Sequence, residues 1–331
     1  MSRPADHDSP FHAGEQAVQA RAGVRERIER FGRKAIRDAM PDQHRELFAA
    51  LPFVVVGALD DRQRPWASVL VGTPGFMSSP DPKTLHIAAR PARGDPIGSS
   101  LVAGAPVGLL GIQPETRRRN RTNGTVIEAG ERGFVVGVAQ SFGNCPQYIQ
   151  ARKPEPVAPA AGAGADRAEG ARLTSGAAAL VREADTFFIA TASRAARRGD
   201  ASEGVDVSHR GGKAGFVRVT EEDGRSVLTS PDFAGNSFFN TLGNVAVNPR
   251  TGIVFVDFRS GDSLSLTGKA EVVWNGPELA AFAGAQRLLR FRVDEGVWLE
   301  RAVPLRWSAP EEAPQLAATG SWAEASARRL G

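Results

Sequence analysis

VDVSHRGGKAGF, from Val205 to Phe216, has a gapless counterpart in PWASVLVGTPGF, from Pro65 to Phe76. Ser68 falls on Ser208, Gly72 on Gly212, Gly75 on Gly215 and Phe76 on Phe216, at a constant offset of 140 residues. The match continues downstream. GDPIGSSL (Gly94 to Leu101) lies over GNSFFNTL (Gly235 to Leu242), VGLLGI (Val107 to Ile112) over TGIVFV (Thr251 to Val256), and NGTVIEA (Asn123 to Ala129) over TGKAEVV (Thr267 to Val273). A repeat of this extent predicts two copies of one fold, and the positions where the copies differ point to the copy that carries a site.

The chain length of 331 residues agrees, because it exceeds one ordinary core and suits two domains of roughly 100–150 residues. No apolar run approaches the roughly 20 residues of a membrane-spanning helix, so no membrane partner is expected. The N-terminal MSRPADHDSPFHAG lacks the basic, apolar, small-residue order of a secretory leader, which predicts a cytoplasmic protein. A single cysteine, Cys145, excludes an internal disulfide, and five scattered histidines, His7, His12, His44, His86 and His209, lack ligand spacing. No metal site is expected. The formal charge of +4 is small, and no basic stripe interleaved with aromatics argues for nucleic acid. The surplus suits a small phosphorylated ligand.

Residues 1–48 read as a helical arm in which Val24, Ile28, Phe31 and Ala35 place an apolar stripe on one helix from Gly14 to Arg37, followed by a short helix from Asp42 to Leu51. That stripe makes a homodimer an expectation. Residues 49–152 form the first domain, with six candidate strands: FVVVGAL, WASVLVG, TLHIAA, VGLLGI, a segment at Thr125 to Ile127, and FVVGVA. Asn123-Gly124 reads as a hairpin turn. Short strands at this spacing predict an antiparallel barrel or sandwich, not a βαβ sheet. Residues 153–172 are a Pro/Ala/Gly linker. Residues 173–308 repeat the pattern, with a helix from Ser175 to Ala184, TFFIATA standing for FVVVGAL, an apolar helix from Glu278 to Leu289 and a strand near Val297 to Leu299. Residues 309–331 are a tail.

Asp206-Val-Ser-His-Arg-Gly-Gly-Lys213 concentrates a hydroxyl (Ser208), two permanent cations (Arg210, Lys213) and two glycines whose N–H groups can form a nest. Guanidinium, ammonium and turn N–H groups together suit a phosphate dianion. A basic, solvated hairpin end is the alternative, and the repeat weighs against it. His209 is matched by Val69, Arg210 by Leu70, Lys213 by Thr73, and Asn236 by Asp95, so only the second copy keeps the cradle. Arg117-Arg-Arg-Asn-Arg121 is either a solvated face or a set of cations, with Asn120, lent to a ligand held by the second copy. SFGNCPQYIQ, Ser141 to Gln150, holds the only tyrosine, Tyr148, and reads either as a loop against a planar ligand or as a structural turn. No dinucleotide fingerprint, Walker sequence or nucleophile elbow occurs. No catalytic residue is assigned.

FVVVGALDDRQRPWASVLVGTPGF, SFGNCPQYIQ, DVSHRGGKAGFVRV and LTGKAEV resemble the pyridoxamine 5′-phosphate oxidase-like, FMN-binding split-barrel superfamily, in its two-copy flavin-nucleotide-binding branch. The resemblance spans Phe11 to Trp274. It implies a mainly β (α+β) fold of two tandem antiparallel six-stranded Greek-key split barrels, with FMN in a groove between them. Carried across by position, it sets Ser208, Arg210 and Lys213 at the FMN phosphate with His209 beside them. Thr229 and Ser230 would stand near the ribityl chain or ring, and Asn236 at the start of a helix whose dipole aids the anion site. Arg119, Asn120, Asn144 and Tyr148 would approach from the first barrel. The implied activity is an FMN-dependent oxidoreductase acting on a small-molecule substrate, with NAD(P)H or an electron-transfer protein as partner. The alternative is a non-catalytic flavin- or haem-binding split barrel. The chain departs from the vitamin B6 oxidases in ending its barrel region in VWLERAVPLRW, without their C-terminal substrate-binding Arg and His, and in placing Asn236 where they have a basic residue.

Overall fold

The computed structural model describes residues 9–158, 166–196 and 200–330. Its first sheet comprises β1 (Phe53–Leu59), β2 (Pro65–Val71), β3 (Met77–Ser78), β4 (Thr84–Ile87), β5 (Pro106–Gln113), β6 (Arg118–Gly130) and β7 (Gly133–Gly143). A short ribbon pairs β8 (Pro154–Pro156) with β17 (Leu305–Trp307). The second sheet comprises β10 (Thr186–Ala192), β11 (Val205–Gly211), β12 (Arg218–Glu222), β13 (Arg225–Phe233), β14 (Arg250–Val256), β15 (Ser263–Val273) and β16 (Ala285–Leu299), with β9 (Asp166–Glu169) added along the end of β16. All named pairings are antiparallel, and the fold is mainly β. The strand orders are β2-β1-β5-β6-β7-β4-β3 and β11-β10-β14-β15-β16-β13-β12. The two lists place their strands in the same order along the chain.

The apolar runs that open each half are buried on both faces, which is why they read as continuous rather than alternating. Val54, Val56 and Ala58 of β1 enter a core inside the first half, whereas Phe53 and Val55 enter a cluster shared by both halves. On β10, Phe187 and Ile189 face the second-half core, while Phe188 and Ala190 face the shared cluster. The contact between halves is reciprocal. A Cβ on Gly108 would lie 2.6 Å from the Val205 carbonyl oxygen, and one on its counterpart Gly252 would lie 2.5 Å from the Pro65 carbonyl oxygen. Strand backbones touch there because neither position carries a side chain.

Helices flank the sheets: α1 (Ala13–Arg21), α2 (Arg25–Ala35), α3 (Asp42–Ala50), α4 (Ser175–Glu183), α5 (Asn240–Val247), α6 (Pro277–Ala281) and α7 (Trp322–Leu330). Among the described residues no helix is long and apolar enough to cross a membrane.

Several expectations need correction. The helix expected from Gly14 to Arg37 breaks between α1 and α2 at Gly23, whose φ of 70° leaves the helical region. Asn123-Gly124 is no hairpin turn. It lies inside the long β6, where the register with β7 shifts by a bulge, and the strands turn instead between Gly130 and Gly133. The helix expected from Glu278 to Leu289 is only the short α6. From Ala285 the chain is strand, with Leu289, Phe291 and Val293 packed into the core at alternate positions. Seven strands, not six, share the common order, because the two-residue β3 carries no apolar pattern of its own. The linker contributes β8 and β9, and its residues 159–165, like residues 1–8 of the arm, lie outside the described residues. The tail is packed: Ala313 and Leu316 are buried, and the Trp322 indole donates to the Phe216 carbonyl at 2.8 Å.

Candidate functional site

β6 leaves the Pro114–Thr116 turn with Arg117 in the left-handed region, then runs extended. Strand alternation therefore sends Arg119 and Arg121 to one face and Asn120 to the other. The two guanidiniums enter a cleft between the halves, of about 710 Å³ counting the space open to solvent. Across it, β11 presents Ser208 and Arg210, the end of β13 presents Asp232 and Phe233, and the segment 234–242 closes the side.

Arg121 is buried and held at three points. Its Nη1 donates to Asp206 Oδ1 at 2.7 Å and to Asn240 Oδ1 at 2.9 Å, and its Nη2 donates to Ser208 Oγ at 2.5 Å. The Phe142 ring lies beneath it, 5.6 Å away. Arg119 Nε donates to the Cys145 carbonyl at 2.7 Å, and its Nη1 to the His209 carbonyl at 3.4 Å. Arg210 Nη1 donates to Ser208 Oγ at 3.0 Å, while its Nε stands 3.5 Å from Asp232 Oδ1 without a hydrogen bond. Three guanidiniums thus face one carboxylate in the cleft, Asp206 being engaged behind Arg121. Burial and the charges of Arg121 and Arg210 push Arg119 down to about 9. Burial, then the charges of Arg119, Arg210 and Arg152, holds His209 well below its ordinary value, so its imidazole is neutral at pH 7.

Backbone donors add to this set. The first turn of α5, at Asn240 to Leu242, lines the cleft, and first-turn N–H groups have no intrahelical acceptor and carry the positive end of the helix dipole. Ser237 and Phe239 just before it, and Tyr148 in the opposite loop, all hold φ near 60°. Such non-glycine positions concentrate at binding sites. Tyr148 stacks on Phe233 with ring centres 4.9 Å apart, and Asn236 Nδ2 donates to Asn144 Oδ1 at 3.1 Å, so both halves meet at the mouth. Beneath the floor, α1 brings Glu15 against Asn240 Nδ2 in a short hydrogen bond. Burial raises the Glu15 carboxyl to about 8.

Of the residues singled out in the sequence, Ser208, His209, Arg210, Asn236, Arg119, Asn144 and Tyr148 line this cleft. Lys213 does not. It lies past the end of β11, and its Nζ donates to the Thr319 carbonyl at 2.7 Å. Thr229 and Ser230 are buried within β13, between β12 and β16, and Asn120 points away from the cleft. Asn236 is not at a helix start. Its Oδ1 accepts the Phe238 N–H at 3.1 Å, and α5 begins four residues on.

The glycine pair is also not a nest. Gly212 N–H donates to the Asp185 carbonyl at 3.0 Å. Gly211 makes room for the loop, since a Cβ there would lie 2.0 Å from the Tyr148 carbonyl oxygen. The sequence named Arg121 only as the last cation of the run from Arg117, and did not single out Asp232, Asn240 or Glu15. The alternation of arginines at 119 and 121 would have found Arg121 had the run been read as strand.

No protein-family model and no curated protein matches the chain. Among solved structures, it is similar to HupZ of Group A Streptococcus (14% identity, 40% of this chain and 97% of that one, TM-score 0.30). It is also similar to a putative pyridoxamine 5′-phosphate oxidase of Lactobacillus delbrueckii (15%, 38% and 93%, 0.30) and to HutZ, the haem storage protein of Vibrio cholerae (15%, 39% and 95%, 0.24).

Proposed function

We propose that the chain is a two-copy, FMN-binding split-barrel protein that acts as a flavin-dependent oxidoreductase on a small-molecule substrate. One observation carries this reading: Arg119 and Arg121 from the first half and Ser208 and Arg210 from the second converge on one cleft with a single facing carboxylate, beside the first turn of α5. Arg210 Nε and Asn144 Nδ2 are buried there without hydrogen-bond partners. That donor set fits a phosphate monoester, whose oxygens accept from guanidinium groups and helix N-terminal N–H groups.

Arg210, Ser208 and the α5 N–H groups would hold the phosphate, with Arg119 and Arg121 beside it. Tyr148 and Phe233 offer an aromatic surface to a planar ring at the mouth. Bound FMN would supply hydride or electron transfer. The chain's own contribution is to bind and orient it, with His209 as a neutral hydrogen-bonding group. NAD(P)H or an electron-transfer protein would serve as redox partner, and the exposed Phe31 on α2 leaves room for pairing of two chains.

Titrating the purified protein with FMN tests the reading: quenching of flavin fluorescence at stoichiometric protein is expected, and free-flavin emission throughout would refute it. A second reading rests on His209, whose buried neutral imidazole is the form that ligates haem iron. A haemin Soret band abolished in His209→Ala, without FMN binding, would replace the first reading by the second.

A further inference from the structure

The matching strand orders give the cleft an equivalent position in the other half, the mirror cleft, and strand registers identify its residues without reference to sequence similarity. Ser208 lies opposite Ile189, and Ile189 opposite Ile253; Ser68 lies opposite Val56, and Val56 opposite Leu109. Following the same ladders outward, Arg121 (opposite Leu110) corresponds to Ser265 (opposite Val254), and Arg119 (opposite Ile112) to Ser263 (opposite Val256). Asn144, which follows Gly143 (opposite Asn120), corresponds to Leu299, which follows Trp298 (opposite Leu264). Ser265 keeps the cross-half direction of Arg121, donating to the Ala67 carbonyl at 3.0 Å.

The mirror cleft therefore has hydroxyls where the first has guanidiniums. It also has a carboxylate of its own. Asp95 Oδ1 accepts from Ser68 Oγ at 2.6 Å and from the Ile97 N–H at 3.0 Å. Asn236 Oδ1 accepts the corresponding i+2 N–H, from Phe238, but leaves Ser208 to the two arginines. Beside Asp95, Gly94 packs against Asp166 of β9 and Leu299, with a Cβ there only 2.9 Å from the Asp166 Cβ.

We infer that the chain holds one anionic ligand, in the cleft of Arg121 and Ser208, and that the carboxylate of Asp95 permanently takes the ligand's place in the mirror cleft. This deepens the flavin reading and rests on it. It also names position 236 as the switch between an open and a self-occupied anion site: asparagine leaves the cleft to a ligand, and aspartate fills it.

Equilibrium dialysis of the full chain against FMN counts the sites. One flavin per chain is expected. Two per chain would overturn the inference while leaving the flavin reading intact, and none would refute the flavin reading and this inference with it. Asn236→Asp recreates the Asp95 arrangement in the open cleft and should raise the Kd for FMN at least tenfold; an unchanged Kd would show that a carboxylate there does not replace the ligand anion. Asp95→Asn should keep the wild-type Kd within about twofold, whereas a tenfold change would tie Asp95 to the ligand-holding cleft and overturn its assignment to a separate one. Far-UV circular dichroism of each variant verifies that the fold is retained.

Discussion

Arg121 and Ser208 come from different halves of the chain, 87 residues apart, and are joined by a hydrogen bond of 2.5 Å from guanidinium to hydroxyl. The same guanidinium grips Asp206 at 2.7 Å, with both side chains almost fully buried. Cleft formation and docking of the halves are therefore one event, because the cation that shapes the site is also a pin between the sheets.

Arg121→Ala should destabilise the chain by about 3–5 kcal/mol, the range for breaking a buried ion pair and leaving one charge behind. Burial already raises the Asp206 carboxyl, with Arg121 opposing that rise, so removal of the cation drives it toward the neutral form. The double variant Arg121→Ala/Asp206→Asn should recover part of the loss in urea unfolding. Equal midpoints for the single and double variants would show that Asp206 is not the charge left stranded.

Arg210→Ala separates binding from stability. The Arg210 ion pair with Asp232 spans 3.5 Å without a hydrogen bond, and Arg287 also stands 3.6 Å from that carboxylate, so the fold should be less affected than by loss of Arg121. FMN affinity should fall by about 2–5 kcal/mol, the range for truncating one partner of a buried charged contact. Fluorescence titration reads the loss directly, and wild-type affinity would remove Arg210 from the phosphate site.

The strand runs and the basic segment of β11 were legible in the sequence because these are local patterns: β-branched runs, turn residues, and a cation beside Ser208 and His209 on one strand. It misplaced residues whose role depends on which face a strand turns outward. Asn120 and Arg121 are neighbours in one charge run, yet only Arg121 enters the cleft, and that follows from β6 being extended through a bulge that Asn123-Gly124 disguised as a turn. Lys213 looked like a cradle residue until the tail, which has no pattern of its own, supplied the Thr319 carbonyl as its partner. Glu15 was missed for a related reason: beyond its local bond from the His12 N–H, it accepts from Asn240 on α5, more than two hundred residues away.

Gly211→Ala should reduce both stability and flavin affinity. The added Cβ would meet the Tyr148 carbonyl oxygen at 2.0 Å, a backbone atom that can yield only if the 144–148 loop moves. Overpacking of this kind costs about 1–3 kcal/mol. Gly235→Ala is the matched control on the same cleft, since a Cβ there meets nothing within 4 Å. Thermal melts of the two variants should diverge, and equal melting temperatures would show that the loop is not held against β11.

Glu15 gives the chain a pH dependence of defined sign. Its folded value of about 8 lies above the ordinary 4.5, chiefly through burial. Between those values the native state keeps a proton that the unfolded state has released, so this contribution to stability is complete below pH 4.5 and is lost as the pH rises through about 8. The slope is at most about 1.4 kcal/mol per pH unit. His44 acts in the opposite sense: burial and the charges of Arg37 and Arg118 lower it to about 4, so its contribution is present above 6.5 and lost as the pH falls toward 4. Glu15→Gln removes the titration, at a pH-independent cost for the amide –NH2 that must face one of the N–H donors of His12 and Asn240. The stability difference between variant and wild type, followed by urea unfolding from pH 5 to pH 9, should shift steadily in favour of the variant as the pH rises. A difference that stays constant over that range would mean that Glu15 is ionised throughout, and that the carboxylate beneath Asn240 is part of the charge balance of the cleft.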